Sequence, residues 1–244
     1  HVDKLHVSIY KPRRQMGMAA SAHYLQRLEA ILAGQPAARA VFAAAHSQDE
    51  FLEGLIEAED AVFSRIEAFH MDEYIGLPAD APQRFGTFLS RAIFDRKPFR
   101  KVHLMNSGAG DGRQECLRYS ELLRRAPLDI VSLGIGENGH IAFNDPHEAR
   151  FDDPETVKIT TLDEPCRQQQ VHDGEFADIS LVPHQAMTLT IPALMSCRCA
   201  VGSTARRKPC TTHFTVPFRK NARLRSSAPT TTRRFSSTKE RLRC

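Results

Sequence analysis

Two short segments carry residue types that can move protons. The first is Phe69-His70-Met71-Asp72-Glu73-Tyr74-Ile75-Gly76-Leu77-Pro78, and the second runs from Leu133 through Gly134-Ile135-Gly136-Glu137-Asn138-Gly139-His140 to Phe143-Asn144-Asp145-Pro146. A carboxylate such as Asp72 can take a proton from carbon, and an imidazole such as His140 can pass one to or from an oxygen. Asn138 and Asp145 flank that imidazole, next to Gly139 and Pro146. Asp72-Glu73 alone is also what a solvated turn looks like, and Gly139 and Pro146 suit turns as well.

Other chemistries fit the same residues less well. Gly134 to Gly139 spells G-x-G-x-x-G, but a dinucleotide site needs a helix opening at those glycines. Here the chain runs within a few residues into Asn144-Asp145-Pro146 and a polar stretch to Pro154. His140, Asp145 and His147 lack the spacing of a metal site. A zinc nucleobase deaminase needs H-x-E and P-C-x-x-C, and Pro165-Cys166-Arg167-Gln168-Gln169 supplies only the first cysteine. The expectation is a site with neither metal nor cofactor.

Both segments must be held by a scaffold, and the periodicity describes one. Leu5–Tyr10 reads as a strand and 19–32 as a helix. The apolar run 40–45 is followed by Ser47-Gln48-Asp49-Glu50, which suits the start of a helix reaching Ile56. Residues 85–94 and 114–125 read as helices. Residues 101–105, 128–133, 157–162 and 186–191 read as strands, with 128–133 apolar throughout, as in a buried parallel strand. This alternation predicts an α/β fold, a Rossmann-like three-layer sandwich with a mostly parallel sheet flanked by helices. Ligands in such folds collect at the carboxyl ends of the strands.

At this point the two segments resemble the signature loops of the glucosamine-6-phosphate deaminases. That family shares its fold with the 6-phosphogluconolactonases, which differ after the Gly-His pair. The likeness continues through Thr161-Leu162-Asp163-Glu164 and through residues 182–194, and covers roughly residues 4–196. It implies a hydrolytic deaminase: an amino-sugar phosphate opens, a proton moves between C2 and C1, and ammonia leaves to give fructose 6-phosphate. Asp72 then stands where the family has its base and His140 where it has its ring-opening group. Asp145 stands where the family has a glutamate, and Asn138 where many members have an aspartate. An Asn carbonyl can fix the imidazole tautomer but brings no charge. Ser47, Gln48, Glu73, Gly139 and Arg167 are the candidates for holding the sugar phosphate. Ser47 and Gln48 sit at a helix start, where free N–H groups attract anions. The family's glycine/threonine-rich loop is replaced there by Ala43-Ala44-Ala45-His46, and His172 falls near a family arginine. The resemblance allows a homo-oligomer. Its rivals are lactone hydrolysis on the same fold and sugar-phosphate binding without turnover.

Composition divides the 244 residues in two. The net charge of +4 conceals 13 Lys and Arg against one acidic residue, Glu240, from residue 197 onward; the part before carries 20 basic and 28 acidic residues. We read 1–196 as the enzyme-like α/β domain and 197–244 as an aberrant, poorly ordered basic tail. A basic arm can bind nucleic acid, but a shifted reading frame explains this one better. Taking the last base of each codon with the first two of the next, residues 203–209 permit Asp-Gly-Ala-Thr-Lys-Ala, similar to a family turn whose lysine contacts phosphate. Three further family-like stretches follow in order in the same frame. The expectation is a frame slip near residues 196–202, with no nucleic-acid partner. No apolar run reaches the ~20 residues that span a bilayer, and no signal peptide is visible. Four of the six cysteines lie in the tail, which leaves no disulfide framework and suggests the reducing cytoplasm. The chain starts at His1, so a preceding segment is expected to be missing.

Overall fold

The structure, a computed structural model, describes residues 6–108, 111–136, 138–205 and 211–217. The chain order is β1 (His6–Tyr10), α1 (Arg13–Ala33), β2 (Ala38–Phe42), α2 (Asp49–Ile56), α3 (Asp60–Phe63), β3 (Ile66–His70), β4 (Asp72–Tyr74), α4 (Phe85–Leu89), β5 (Lys101–His103), α5 (Gly112–Arg124), β6 (Ile130–Leu133), β7 (Val157–Thr161), α6 (Glu164–His172), β8 (Gln185–Leu189), α7 (Ile191–Met195), β9 (Cys199–Ala205) and β10 (Thr211–Pro217).

The main sheet has seven strands in the order β1-β10-β9-β6-β2-β3-β5. The five from β9 to β5 are parallel, and β10 and β1 are antiparallel additions at one edge. β2 and β6 are buried along their whole length, as central parallel strands require. Alternate residues of β2 serve two cores. Ala40 and Phe42 pack with Tyr24 and Leu28 of α1, Phe51 and Leu55 of α2, and Leu89 and Ile93. Val41 faces the other way, with Tyr119, Leu122 and Leu123 of α5, Met187 and Leu189 of β8, and Leu194 of α7. The expected α/β architecture is therefore present.

Two features differ from the expectation. Residues 157–162 and 186–191 were expected to extend the parallel sheet. They form instead, with Asp72–Tyr74, a separate antiparallel sheet in the order β4-β8-β7 that shares one face of the main sheet with α5 and α7. Val157, Met187 and Leu189 face the core shared with α5 and α7, while Tyr74 and Ala186 on the other face pack with Phe143, Cys166 and Phe176. The ordered fold also does not stop at residue 196. The apolar run Cys199-Ala200-Val201-Gly202 covers the edge of β6 in parallel register, and 211–217 pairs antiparallel with both β9 and β1. Residues 206–210 and 218–244, which include the rest of the proposed frame-slipped tail, lie outside the described residues. No helix among the described residues is long and apolar enough to cross a membrane.

The chain runs outward from β2 to β3 to β5, then returns to place β6 on the other side of β2. The order reverses between β2 and β6, and folds of this kind bind ligands outside the carboxyl ends of the strands at such a point. The loop holding Ser47 follows β2 and the loop holding His140 follows β6, while Asp72 follows neighbouring β3. The fold thus brings the chemistry-bearing segments to one end of the sheet.

Candidate active site

Asp72 opens β4, one residue beyond the end of β3, and is 7% exposed. Strand alternation turns Asp72 and Tyr74 to one face of β4 and Glu73 to the other. Burial first, and the Glu73 charge second, push the Asp72 carboxyl well above the usual aspartate range. Tyr74 packs beside it with Phe143, Cys166 and Phe176, and its hydroxyl donates to Gln170 Oε1 of α6 at 2.8 Å.

His140 sits in a tight loop built by its glycines. The Gly136 N–H donates to the His140 carbonyl at 2.9 Å, and the Gly139 N–H to the Gly136 carbonyl at 3.0 Å. Gly139 has φ +91°, where a side chain would be strained, and Ala142 accepts φ +51°. The His140 ring lies directly on Gly136, so a Cβ there would collide with it.

Asn138 Oδ1 accepts both the backbone N–H of His140, at 3.0 Å, and ring Nδ1, at 2.7 Å; its Nδ2 donates to Asp145 Oδ1 at 2.8 Å. A backbone N–H can only donate and a carboxylate can only accept, so the amide has one sensible orientation. Nδ1 therefore carries the ring proton, and Nε2 is left to exchange protons with a ligand. Asp145 also lies 3.4 Å from Nδ1. Burial raises its carboxyl, but the hydrogen bonds from His140, Asn138 and Cys166 outweigh this and bring it down to about 2.

One strand ties the two segments together. Thr188 of β8 is the register partner of Asp72. Its Oγ1 accepts the Phe143 N–H at 3.1 Å, while Asn144 Nδ2 donates to the Leu189 carbonyl at 2.8 Å. Cys166, in the first turn of α6, feels the charges of both Asp145 and Asp72. Neither Thr188 nor Cys166 was singled out from sequence: Thr188 reads as one residue of a half-buried strand, and only the register reveals its partner.

The other expected site residues fall in different places. Glu73 is fully buried; Oε1 accepts the N–H groups of Tyr74 and Phe85, at 3.0 and 3.1 Å, and Oε2 that of Gly86 at 3.0 Å. It caps the start of α4. The Arg167 Nη2 donates to the carbonyls of Ile179, at 2.6 Å, and Val182, at 3.1 Å, and Nε to Val182. Its guanidinium thereby ties α6 to the chain that follows it. Ser47 lies in a 3-10 turn, His46–Gln48, ahead of α2; Gln48 is buried and is the N-cap of α2 without a side-chain capping bond. Gly139 is at the site as the turn residue of the His140 loop. For metal binding, one atom each of Asp145, Asp163 and Cys166 lie within 4.8 Å of one another. Burial and the neighbouring carboxylates raise the Cys166 thiol.

The family model described as glucosamine-6-phosphate isomerases/6-phosphogluconolactonase matches residues 11–203. The chain belongs to this family. Similar curated members include the glucosamine-6-phosphate deaminase of Lysinibacillus sphaericus, 38% identical over 151 residues, 60% of this chain and 66% of that one. That of Streptococcus sanguinis is 34% identical over 153 residues, 62% of each chain. With that of an Exiguobacterium strain the match is 38% over 55% of this chain and 51% of that one. The chain thus spans between half and two thirds of the curated relatives it matches. Among solved members, a monomeric glucosamine-6-phosphate deaminase superposes with a TM-score of 0.71 at 26% identity, covering 79% of both chains. A 6-phosphogluconolactonase from Thermotoga maritima superposes at 0.62 with 20% identity, covering 75% of this chain and 77% of that one, and shares the family fold.

Proposed function

We propose that this protein deaminates and isomerises an amino-sugar phosphate, converting glucosamine 6-phosphate and water to fructose 6-phosphate and ammonia. The observation that carries the reading is the His140–Asn138–Asp145 hydrogen-bonded chain, anchored on the strand residue opposite a buried, proton-hungry Asp72. His140 Nε2 passes the proton that opens the pyranose ring. Asp72 takes the proton from C2 of the open aldose and delivers it to C1, so that the C2 amine becomes an imine. Water adds at C2 and ammonia departs, leaving the ketone. A carboxyl raised by burial is a stronger base once ionised, which suits removal of a proton from carbon. Asn138 holds the tautomer that keeps Nε2 available, and Asp145 supplies negative charge behind the ring.

The phosphate end is proposed to lie at the turn after β2, where Ser47 and the start of α2 follow a strand end on the same edge of the sheet. Ser47→Ala is expected to raise KM with little change in kcat. Deamination is favoured over lactone hydrolysis because curated relatives at 34–38% identity are named as deaminases, whereas the lactonase likeness at 20% extends to the fold alone. A cytoplasmic setting fits the four free, buried thiols of Cys116, Cys166, Cys197 and Cys199. The test is ammonia release from glucosamine 6-phosphate beside lactone hydrolysis of 6-phosphogluconolactone. Lactone turnover without ammonia release would replace this reading with the hydrolase.

A further inference from the structure

Glu73 is fully buried, next in sequence to Asp72 and turned to the opposite face of the same strand. Both of its oxygens face donors: the N–H groups of Tyr74, Phe85 and Gly86, with Arg84 Nε 3.8 Å from Oε2. A protonated acid would turn an O–H toward one of these donors, so the cradle is built for a carboxylate. Arg84 is itself fixed, donating to the Ala79 carbonyl at 2.8 Å and the Met105 carbonyl at 3.3 Å. Capping a five-residue helix does not need a buried charge, because a short polar side chain at the N-cap serves as well. Burying a charge is expensive unless it is compensated, and here it is compensated on one side only, away from Asp72.

We infer that Glu73 is a positioning residue that acts electrostatically, as a fixed negative charge, cradled by α4 and Arg84, that strengthens Asp72 as a proton acceptor. The inference rests on reading Asp72 as the base. The Glu73 charge is the second cause, after burial, of the high proton affinity of Asp72. Burial raises the Glu73 carboxyl too, while the N–H groups of Gly86 and Phe85, Arg84 and the Tyr74 N–H pull it back. The other titratable or charged groups around the pair are His70 of β3, Tyr74, Tyr119 of α5, Cys166 of α6 and, across Cys166, the ionised Asp145. Burial and Arg84 hold His70 down to about 3, and Tyr74, Tyr119 and Cys166 are all raised by burial. None of these changes charge near neutral pH, so Glu73 is the neighbouring charge that acts on Asp72, and Arg84 acts on Glu73.

The test is the pH profile of kcat/KM for ammonia release by the full chain and by Glu73→Gln and Arg84→Gln. Asp72 must be ionised to act, so it sets the acid limb of the profile. Glu73→Gln removes a neighbouring negative charge. Its acid limb should move to lower pH while plateau kcat falls about 10-fold, as a weaker base requires. Arg84→Gln leaves the three N–H groups on Glu73 and removes the positive charge, so its limb should move to higher pH. Should Glu73→Gln fail to fold, Arg84→Gln alone decides. Limbs that stay at the wild-type position, or move the other way, overturn the inference, because loss of helix capping lowers activity without displacing the limb. An inactive wild type, or an active Asp72→Asn, would instead overturn the function on which the inference rests.

Discussion

Thr188 sits directly across from Asp72 in the pairing of β8 with β4, and its hydroxyl holds the Phe143 N–H at 3.1 Å. One residue of a small antiparallel sheet thereby sets the position of the His140 loop relative to the carboxylate. Thr188→Val keeps the shape and removes the acceptor from a fully buried site. The expected cost is about 1–3 kcal/mol of stability, with kcat reduced about 10-fold because a loop displaced from its attack geometry loses rate steeply. Urea unfolding and steady-state kinetics on the same variant measure both.

Asn138→Leu removes the amide that bridges His140 and Asp145 and leaves their direct 3.4 Å contact. Asp145, held at about 2 in the folded chain, should then rise toward the ordinary aspartate value. The sign follows from the depressed folded value: the stabilisation is present above about pH 4 and is lost as pH falls from about 4 to about 2. Asn138→Leu should shrink that acid transition only in part, because the His140 and Cys166 contacts remain, and lower kcat about 100-fold. Stability measured against pH between 2 and 6 tests the first part, and ammonia release the second.

Gly136→Ala places a methyl group where the His140 ring now lies. The ring must swing off Asn138 Oδ1, so activity should fall about 100-fold. The loop is at the surface, so Tm should change little. Recovery of a 2.7 Å contact between Nδ1 and Asn138 in a crystal structure of an inactive Gly136→Ala would rule this explanation out.

Asp72→Asn should be inactive and more stable than the parent at neutral pH. Because the folded Asp72 carboxyl is raised above its unfolded value, it stabilises the fold at low pH, and that stability is lost as pH rises through the folded value. An amide carries no such loss, so Tm at pH 7 should rise by a few degrees, with the difference vanishing toward pH 3. Calorimetry at the two pH values measures it.

Much of this site was legible in the sequence because its parts are local. Asn138, His140 and Asp145 lie within eight residues, and their glycines and proline announce a loop whose geometry the chain itself dictates. Asp72 was visible for the same reason. What could not be read were relations set by strand register. The small sheet β4-β8-β7 draws its strands from three separate parts of the chain, and nothing near Thr188 says that it faces Asp72. Glu73 and Arg167 look like ligand contacts in one dimension because charge marks them. Their partners, the α4 amides and the carbonyls of Ile179 and Val182, become visible only once the chain has folded. The tail is the remaining proposal: a frame slip near residues 196–202 accords with a family match that ends at residue 203. Resequencing the gene should recover a continuous family-like frame there, and an unbroken single frame would argue against it.

Whether Asp72 and His140 act on one sugar ring can be decided by turning over glucosamine 6-phosphate in D2O and following C1 of the fructose 6-phosphate by NMR. The proton held on Asp72 exchanges with solvent in part before it is delivered, so the wild-type product should carry a mixture of the transferred C2 proton and solvent deuterium at C1, and Asp72→Asn should give no product. His140→Gln, which cannot open the ring, should turn over the open-chain form of the substrate far better than the closed form. Undiminished turnover by Asp72→Asn, or equal impairment of His140→Gln on open and closed forms, would refute the pairing.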